Sequence, residues 1–236
     1  MRDLTELINV ADPAWPELRA ELGREPVRMF PGDPVQGQDC LRLLQVTAAS
    51  ALGALTLYTG GLTVDNGWVR VFGGAAAPDG PPNLAHVNRM HDPSWQREAG
   101  LVVGQDVLGG VFVLNGVNPS GYGRPGAPGQ MVYFAPDTLE WEALDLGHSA
   151  WLSWLAAGGT TSFYKSLRWP GWEAETRALG SSHGIAVYPF LWSEQAHADL
   201  AATERGPAPM AEILALNIEM CGQLGLPDPG FLGATS

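Results

Sequence analysis

The middle of the chain contains short apolar segments separated by glycine-containing turns, a pattern that few folds other than an antiparallel sheet accommodate. The turn sequence Asp-Asn-Gly at 65–67 lies between an apolar segment at 62–64 and an alternating segment at 68–72. A glycine pair separates 101–107 from 111–114 in the same way. Because such turns join neighbouring antiparallel strands, the sequence predicts two β-hairpins in this region.

The surrounding segments predict an α+β fold with a mainly antiparallel central sheet and helices at both ends. Residues typical of strands also occur at 52–59, 131–134 and 184–188, which we interpret as further strands. Helical spacing near both termini predicts helices there, including a helical C-terminal third, at about 147–226, packed on the sheet. A block of strands with helices before and after it is typical of the α+β class. No repeat or linker divides the sequence, so we expect one domain over 1–236.

The formal net charge of −12 argues against functions that need a basic surface. Of the 13 Lys and Arg residues only Lys165 is a lysine, and the arginines are scattered, so we expect no nucleic-acid partner. The N-terminus has no signal-peptide pattern, and no apolar segment approaches the length of a membrane span. Two distant cysteines, Cys40 and Cys221, are typical of buried thiols in a reducing compartment. We therefore expect a cytoplasmic protein without membrane contact.

No motif for catalysis or for cofactor binding stands out. A phosphate-binding loop needs a lysine beside a glycine pattern, and a serine nucleophile elbow needs Gly-x-Ser-x-Gly; neither occurs. His86 and His91 are five residues apart, a spacing that places them on different helix faces. Pro93 also interrupts a helix there, so we expect no metal site. We assign no catalytic residue, cofactor or metal, and an enzyme is the weaker interpretation.

Two groups of side chains are candidates for recognition. Asp137, Glu140 and Glu142 flank Trp141, and three roles fit this acidic group: helix caps and surface charge, a recognition patch, or an acid–base pair. The second group is aromatic and belongs to a chain with 9 Trp; it consists of Arg168, Trp169, Trp172 and Trp192. Such residues either fill a core or anchor a binding surface.

Several multi-residue blocks resemble the bacterial domain-of-unknown-function family 2625. The blocks lie at 12–15, 44–47, 59–61, 65–70, 133–142, 163–164, 168–173 and 188–192. They include Phe-Ala-Pro-Asp-Thr-Leu-Glu-Trp-Glu at 134–142 and Arg-Trp-Pro-Gly-Trp-Glu at 168–173. The family has no established activity, so this resemblance implies no catalytic residues.

A shorter pattern looks like the core of the SUKH superfamily. It consists of a hairpin at 103–115, a strand at 132–134 and the start of a helix at 149–152. The resemblance implies an α+β fold with a SUKH-like core. Many members of that superfamily are immunity proteins that neutralise secreted toxins by direct binding, so the resemblance also implies a protein partner.

Two functional interpretations follow. In the first, the chain is a non-enzymatic module that binds a basic protein, such as a toxin, through the acidic and aromatic groups named above. In the second, a small-molecule binder or enzyme has a pocket near Asp106, Asn115 and Tyr133, beneath the Gly- and Pro-rich segment 118–130, which we expect to be a mobile loop. A structural scaffold or homodimer is a third possibility.

Overall fold

Seven antiparallel strands pair in the order in which they follow one another along the chain. The computed structural model describes residues 1–235. The strands are β1 (Val27–Pro31), β2 (Thr59–Val64), β3 (Val69–Val71), β4 (Leu101–Asp106), β5 (Val111–Leu114), β6 (Gln130–Ala135) and β7 (Glu140–Gly147). Both predicted hairpins are confirmed, and β1 and β7 are the edge strands of this sheet.

Helices precede, interrupt and follow the sheet, which confirms the α+β class. They are α1 (Leu4–Ile8), α2 (Trp15–Leu22), α3 (Pro34–Leu44), α4 (Ala51–Tyr58), α5 (Leu84–Val87), α6 (His148–Ala156), α7 (Thr160–Phe163), α8 (Trp172–Arg177), α9 (Glu194–Ala198) and α10 (Met210–Gln223). Asp3 and Asp33 begin α1 and α3, and each accepts a backbone N–H from three residues later. None of the helices in residues 1–235 is long and apolar enough to cross a membrane.

The prediction of a strand at 52–59 is wrong, because most of this segment forms helix α4. The Ser50 hydroxyl accepts a hydrogen bond from the N–H of Gly53 at 3.0 Å and caps the helix. Alanine and leucine, which have high helix propensity, make up half of the segment. An apolar run of this length is compatible with a buried strand or a buried helix, and here the cap and the propensities favour the helix.

The second half of the chain contains two strands that the sequence analysis does not predict. One is β7, whose exposed acidic residues are typical of a charged surface segment and so do not indicate a strand. The other is β9 (Glu204–Pro209), which pairs with the predicted strand β8 (His183–Tyr188) in a separate antiparallel sheet. Pro207 and Pro209 argue against a strand, but β9 has β8 as its one neighbour and its other edge is free to hold prolines. The C-terminal third is therefore less helical than predicted.

One contiguous apolar cluster joins the seven-stranded sheet to α4, α6 and the β8–β9 pair. Its largest fully buried side chains include Trp68, Phe112 and Trp151. The N–H of Ile185 in β8 donates to the carbonyl oxygen of Val107 at 2.7 Å, which holds the second sheet against the β4–β5 turn. The extent of a single domain, 1–236, stays a prediction.

Candidate functional site

Trp68 is the centre of an aromatic cluster beside the β2–β3 turn. Its ring is fully buried, and the rings of Trp169 and Trp172 lie 5.7 and 5.2 Å away. Arg168 lies over the Trp172 ring at 4.1 Å and forms an ion pair with Asp65 at 2.7 Å. The side chains of this pair are only 11% and 13% exposed, so Arg168 fastens its own segment to the turn rather than facing solvent.

The structure separates Trp169 from Trp192. Trp169 is 2% exposed, and its indole N–H donates to Oε1 of Glu175 at 2.9 Å, so this side chain belongs to the core. Trp192 is half-buried, and its ring stacks on that of Phe190 at 4.8 Å. The ring of Phe190 lies 5.8 Å from that of Tyr188, which is 64% exposed. Tyr188, Phe190 and Trp192 thus form an aromatic strip at the surface.

The predicted acidic residues meet at the β6–β7 turn and along β7. Glu140 and Glu142 are exposed in this edge strand, and Asp137 lies in the turn before it. Burial, followed by the charges of Asp137 and Glu140, raises the pKa of Glu142. Nε2 of His197 in α9 lies 3.1 Å from the carbonyl oxygen of Asp137. This contact brings α9, which begins two residues after Trp192, to the turn that precedes the acidic strand.

Trp141 has a different role from the glutamates on either side of it. Its ring packs edge-to-face on Phe134 at 5.4 Å, and its indole N–H donates to the carbonyl oxygen of Pro229 at 3.2 Å. The guanidinium of Arg124 lies over the same ring at 5.0 Å. Trp141 therefore holds the C-terminal segment against the sheet.

Asp106 ends β4 and is fully buried. Its Oδ1 accepts the N–H groups of Leu108 at 2.8 Å and Gly110 at 3.0 Å, and its Oδ2 accepts the hydroxyl groups of Tyr133 at 2.6 Å and Tyr164 at 3.0 Å. Burial raises the pKa of Asp106, whereas these hydrogen bonds oppose the increase. The carboxylate thus connects the β4–β5 turn, β6 and the segment after α7. The structure brings Asp106 and Tyr133 together, but inside the core.

Asn115 lies at the opposite end of β5 from Asp106, so the three residues predicted to form a pocket are not at one place. Its Nδ2 donates to the carbonyl oxygen of Pro125 at 2.8 Å, which closes the base of the segment 118–130. The hydroxyl of Tyr122 in this segment donates to Oε1 of Gln96 at 2.8 Å. The segment expected to be mobile is therefore tied to the body of the protein at several points.

A cleft of about 570 Å³ lies beside the segment 118–130. Arg89, Trp95, Tyr122, Arg124 and Phe231 are among its lining residues. Arg124 is 7% exposed, and its Nε has no hydrogen-bond partner within residues 1–235. Burial lowers the pKa of Arg124 to about 10, which leaves the guanidinium charged at neutral pH. The cleft thus combines aromatic walls with positive charge.

A second cleft, of about 250 Å³, is lined by Arg28, Arg70 and Arg177. These arginines are far apart in sequence and belong to the scattered set described above. One signal was available, because Arg70 is the single charged residue in the alternating segment 68–72. The fold brings strands β1 and β3 and helix α8 together around this cleft.

Three further titratable side chains are buried away from these clefts. Burial lowers the pKa of His148 to about 4 and raises that of Cys40 to about 12. Cys40 and Cys221 are free thiols. In the described part of the chain, no group of three or more His, Cys, Asp or Glu side chains is placed to hold a metal ion.

Comparisons with known proteins give a family without a known activity. The model of the family described as "Protein of unknown function DUF2625" matches residues 4–213. The "Putative uncharacterized protein YbfG" of Escherichia coli strain K12 is 34% identical over 203 residues, which cover 84% of this chain and 89% of that protein. An "Uncharacterized protein" of Haemophilus influenzae strain Rd is 26% identical over 196 residues, or 81% and 83% of the two chains.

No solved structure matches the chain. The resemblance to the SUKH superfamily stays a prediction, since neither the family model nor the two relatives bear on it. The family match covers most of the chain and is supported by a relative of similar length. The chain belongs to the family of proteins of unknown function DUF2625.

Proposed function

We propose that this protein is a non-enzymatic module that binds a basic protein partner, in the manner of a toxin-immunity protein. The observation that carries the proposal is the partly exposed aromatic strip, which continues into α9 and so reaches the turn before the acidic edge strand β7. We call the two together the aromatic–acidic surface, which consists of Asp137, Glu140, Glu142, Tyr188, Phe190 and Trp192.

The aromatic strip supplies the anchors for such a partner. Tyr188 is 64% exposed, and Phe190 and Trp192 are half-buried with their rings stacked on one another. Rigid aromatic side chains lose little conformational entropy on binding and dominate the energetics of protein interfaces. Trp169, Trp172 and Arg168 pack around Trp68 and support the fold instead.

The carboxylates favour a basic partner. Glu140 and Glu142 are exposed in β7, and Glu204 pairs with Tyr188 across the β8–β9 sheet. With a net charge of −12, the protein attracts a positively charged partner over distances longer than a direct contact. An immunity protein needs only such a surface, because it neutralises its toxin by binding and performs no chemistry.

The test begins with capture of partners by the tagged full-length protein from native lysate, at low salt and at about 0.5 M salt, where screening is strong. The captured protein is then purified and its affinity is measured by calorimetry. For the double variant Tyr188→Ala, Trp192→Ala we expect Kd to increase about 100-fold or more, because hot-spot residues each contribute about tenfold or more. For the double variant Glu140→Gln, Glu142→Gln we expect slower association and a weaker dependence on salt.

The control variant is Glu17→Gln, Glu21→Gln, which removes the same charge from the exposed face of α2. It should bind the partner as the unmodified protein does. A captured protein that binds all three variants equally would show that the aromatic–acidic surface is not the interface. If no stoichiometric basic protein is captured, the proposal fails.

A second candidate function is the binding of a small molecule in the cleft of about 570 Å³ beside the segment 118–130. Its volume is typical of small-molecule sites, and the buried Arg124 has an N–H without a partner in the described residues. A thermal-shift screen of planar aromatic acids tests this function. A compound that raises the melting temperature of the unmodified protein should not raise that of the variant Arg89→Gln. Arg89 lies over the Phe231 ring at 5.6 Å in the wall of the cleft.

A further inference from the structure

A row of polar side chains crosses one face of the sheet where a core is expected. Arg28 pairs with Thr63, Thr63 with Arg70, and Arg70 with Gln105 in successive strands. Residues directly opposite one another point to the same face, so Arg28 and Arg70 project from that face two strands, or about 10 Å, apart. Arg70 and Gln105 are each 4% exposed.

Arg70 is buried, and within residues 1–235 it forms no ion pair. Burial lowers its pKa to about 10, and the more distant charge of Asp106 only partly opposes this decrease. Its Nη1 donates to the carbonyl oxygen of Ser181 at 2.9 Å, and its Nη2 donates to that of Gly180 at 3.2 Å. These bonds use one N–H of each terminal nitrogen, so the guanidinium can still donate to a further acceptor. A buried charge of this kind is costly unless something compensates it.

The walls of the 250 Å³ cleft add two more positive charges. Arg28 and Arg177 line it together with Arg70, and Arg177 donates to Oδ1 of Asn66 at 2.7 Å. Glu25 and Asp79 also line the cleft, yet within residues 1–235 no ion pair joins either of them to these arginines. Three guanidinium groups therefore surround one small space without being neutralised by direct contact.

We propose that this arginine cleft, formed by Arg28, Arg70 and Arg177, binds the phosphate group of a small molecule. A phosphate has more terminal oxygens than a carboxylate and can accept hydrogen bonds from several guanidinium groups at once. The volume of about 250 Å³ is several times that of a water molecule, which leaves room for a small organic group on the phosphate. The proposal is independent of the protein partner proposed above.

The test is a titration of the full-length protein with inorganic phosphate at constant ionic strength, followed by ¹H–¹⁵N NMR. We expect saturable shifts of the amide signals of Thr63, Asn66 and Ser181. The double variant Arg28→Gln, Arg177→Gln keeps Arg70 and changes only exposed side chains, so it should fold. Its Kd for phosphate should be about 100-fold higher, because each charge-assisted hydrogen bond contributes about tenfold.

The control is Arg42→Gln, which removes a positive charge from α3, where Arg42 pairs with Asp39 at 2.9 Å. This variant should bind phosphate as the unmodified protein does. Equal weakening in the control and the double variant would show that phosphate responds only to the overall charge and would overturn the proposal. So would the absence of saturable shifts, or acetate producing the same shifts at the same concentration.

Discussion

The variant Tyr133→Phe tests whether the buried carboxylate of Asp106 holds the fold together. The substitution removes the hydroxyl that donates to Oδ2 of Asp106 at 2.6 Å and leaves the ring in place. A hydrogen bond to a charged group contributes about 2 kcal/mol, so the free energy of unfolding should fall by about that amount. For a chain of this length, the melting temperature should drop by roughly 4–8 °C.

The effect should depend on pH in a definite direction. Burial raises the pKa of Asp106 above its ordinary value of 3.8, and the hydrogen bond from Tyr133 opposes that increase. Without the hydroxyl, the pKa in the folded protein rises further. When folding raises the pKa of a carboxyl group, the free energy of unfolding falls as the pH increases from the pKa in the unfolded chain to the pKa in the folded protein. The destabilisation should therefore be larger at neutral pH than in mild acid.

Urea unfolding followed by tryptophan fluorescence measures both effects. The matched control is Tyr58→Phe, because Tyr58 is 41% exposed. The double variant Tyr133→Phe, Tyr164→Phe should lose more than the sum of the single variants, since both hydroxyls donate to the same oxygen. A free energy of unfolding for Tyr133→Phe equal to that of the control, or a loss that is the same at both pH values, would refute this reasoning.

Three other predictions concern buried groups. Burial lowers the pKa of His148 from 6.5 to about 4. The free energy of unfolding, measured by urea titration, should therefore fall on the order of 3 kcal/mol as the pH drops from 6.5 to 4. The variant His148→Leu should show no such fall. Arg168→Met should destabilise the protein by about 2–4 kcal/mol in thermal unfolding, because it leaves the mostly buried Asp65 without its ion-pair partner. A loss of unfolding free energy no larger than that caused by replacing an exposed arginine would contradict this role. Cys40 and Cys221 should react with a thiol reagent only on unfolding, since burial raises the pKa of both, and rapid labelling of the native protein would disprove their burial.

The sequence was sufficient for those parts of the fold that depend on local turn geometry. Asp65 and Asn66 adopt positive φ, as the Asp-Asn-Gly turn requires, and the flanking strands pair as predicted. The segment 52–59 was not decidable from periodicity, because a fully buried helix and a fully buried strand are both apolar on every side. The local cap at Ser50 and the helix propensities of alanine and leucine distinguish them.

The candidate site was less accessible to sequence analysis, because it depends on contacts between distant segments. Some of the aromatic side chains belong to the core and others to the surface. Trp169 is buried, Phe190 is half-buried and Tyr188 is exposed. Nothing in the local sequence separates these cases. Likewise, Arg28 and Arg70 become neighbours only through the pairing of three strands, which composition and spacing do not reveal.

The strand order of the large sheet determines when the arginine cleft can form during synthesis. Each strand pairs with the strand made just before it, so the sheet can assemble hairpin by hairpin as the chain leaves the ribosome. The carbonyl group that holds Nη1 of Arg70 belongs to Ser181, 111 residues later. A nascent chain that has completed β7 therefore still presents Arg70 to solvent. Ligand binding at the cleft would report that the chain has folded as far as Ser181, and not only its sheet.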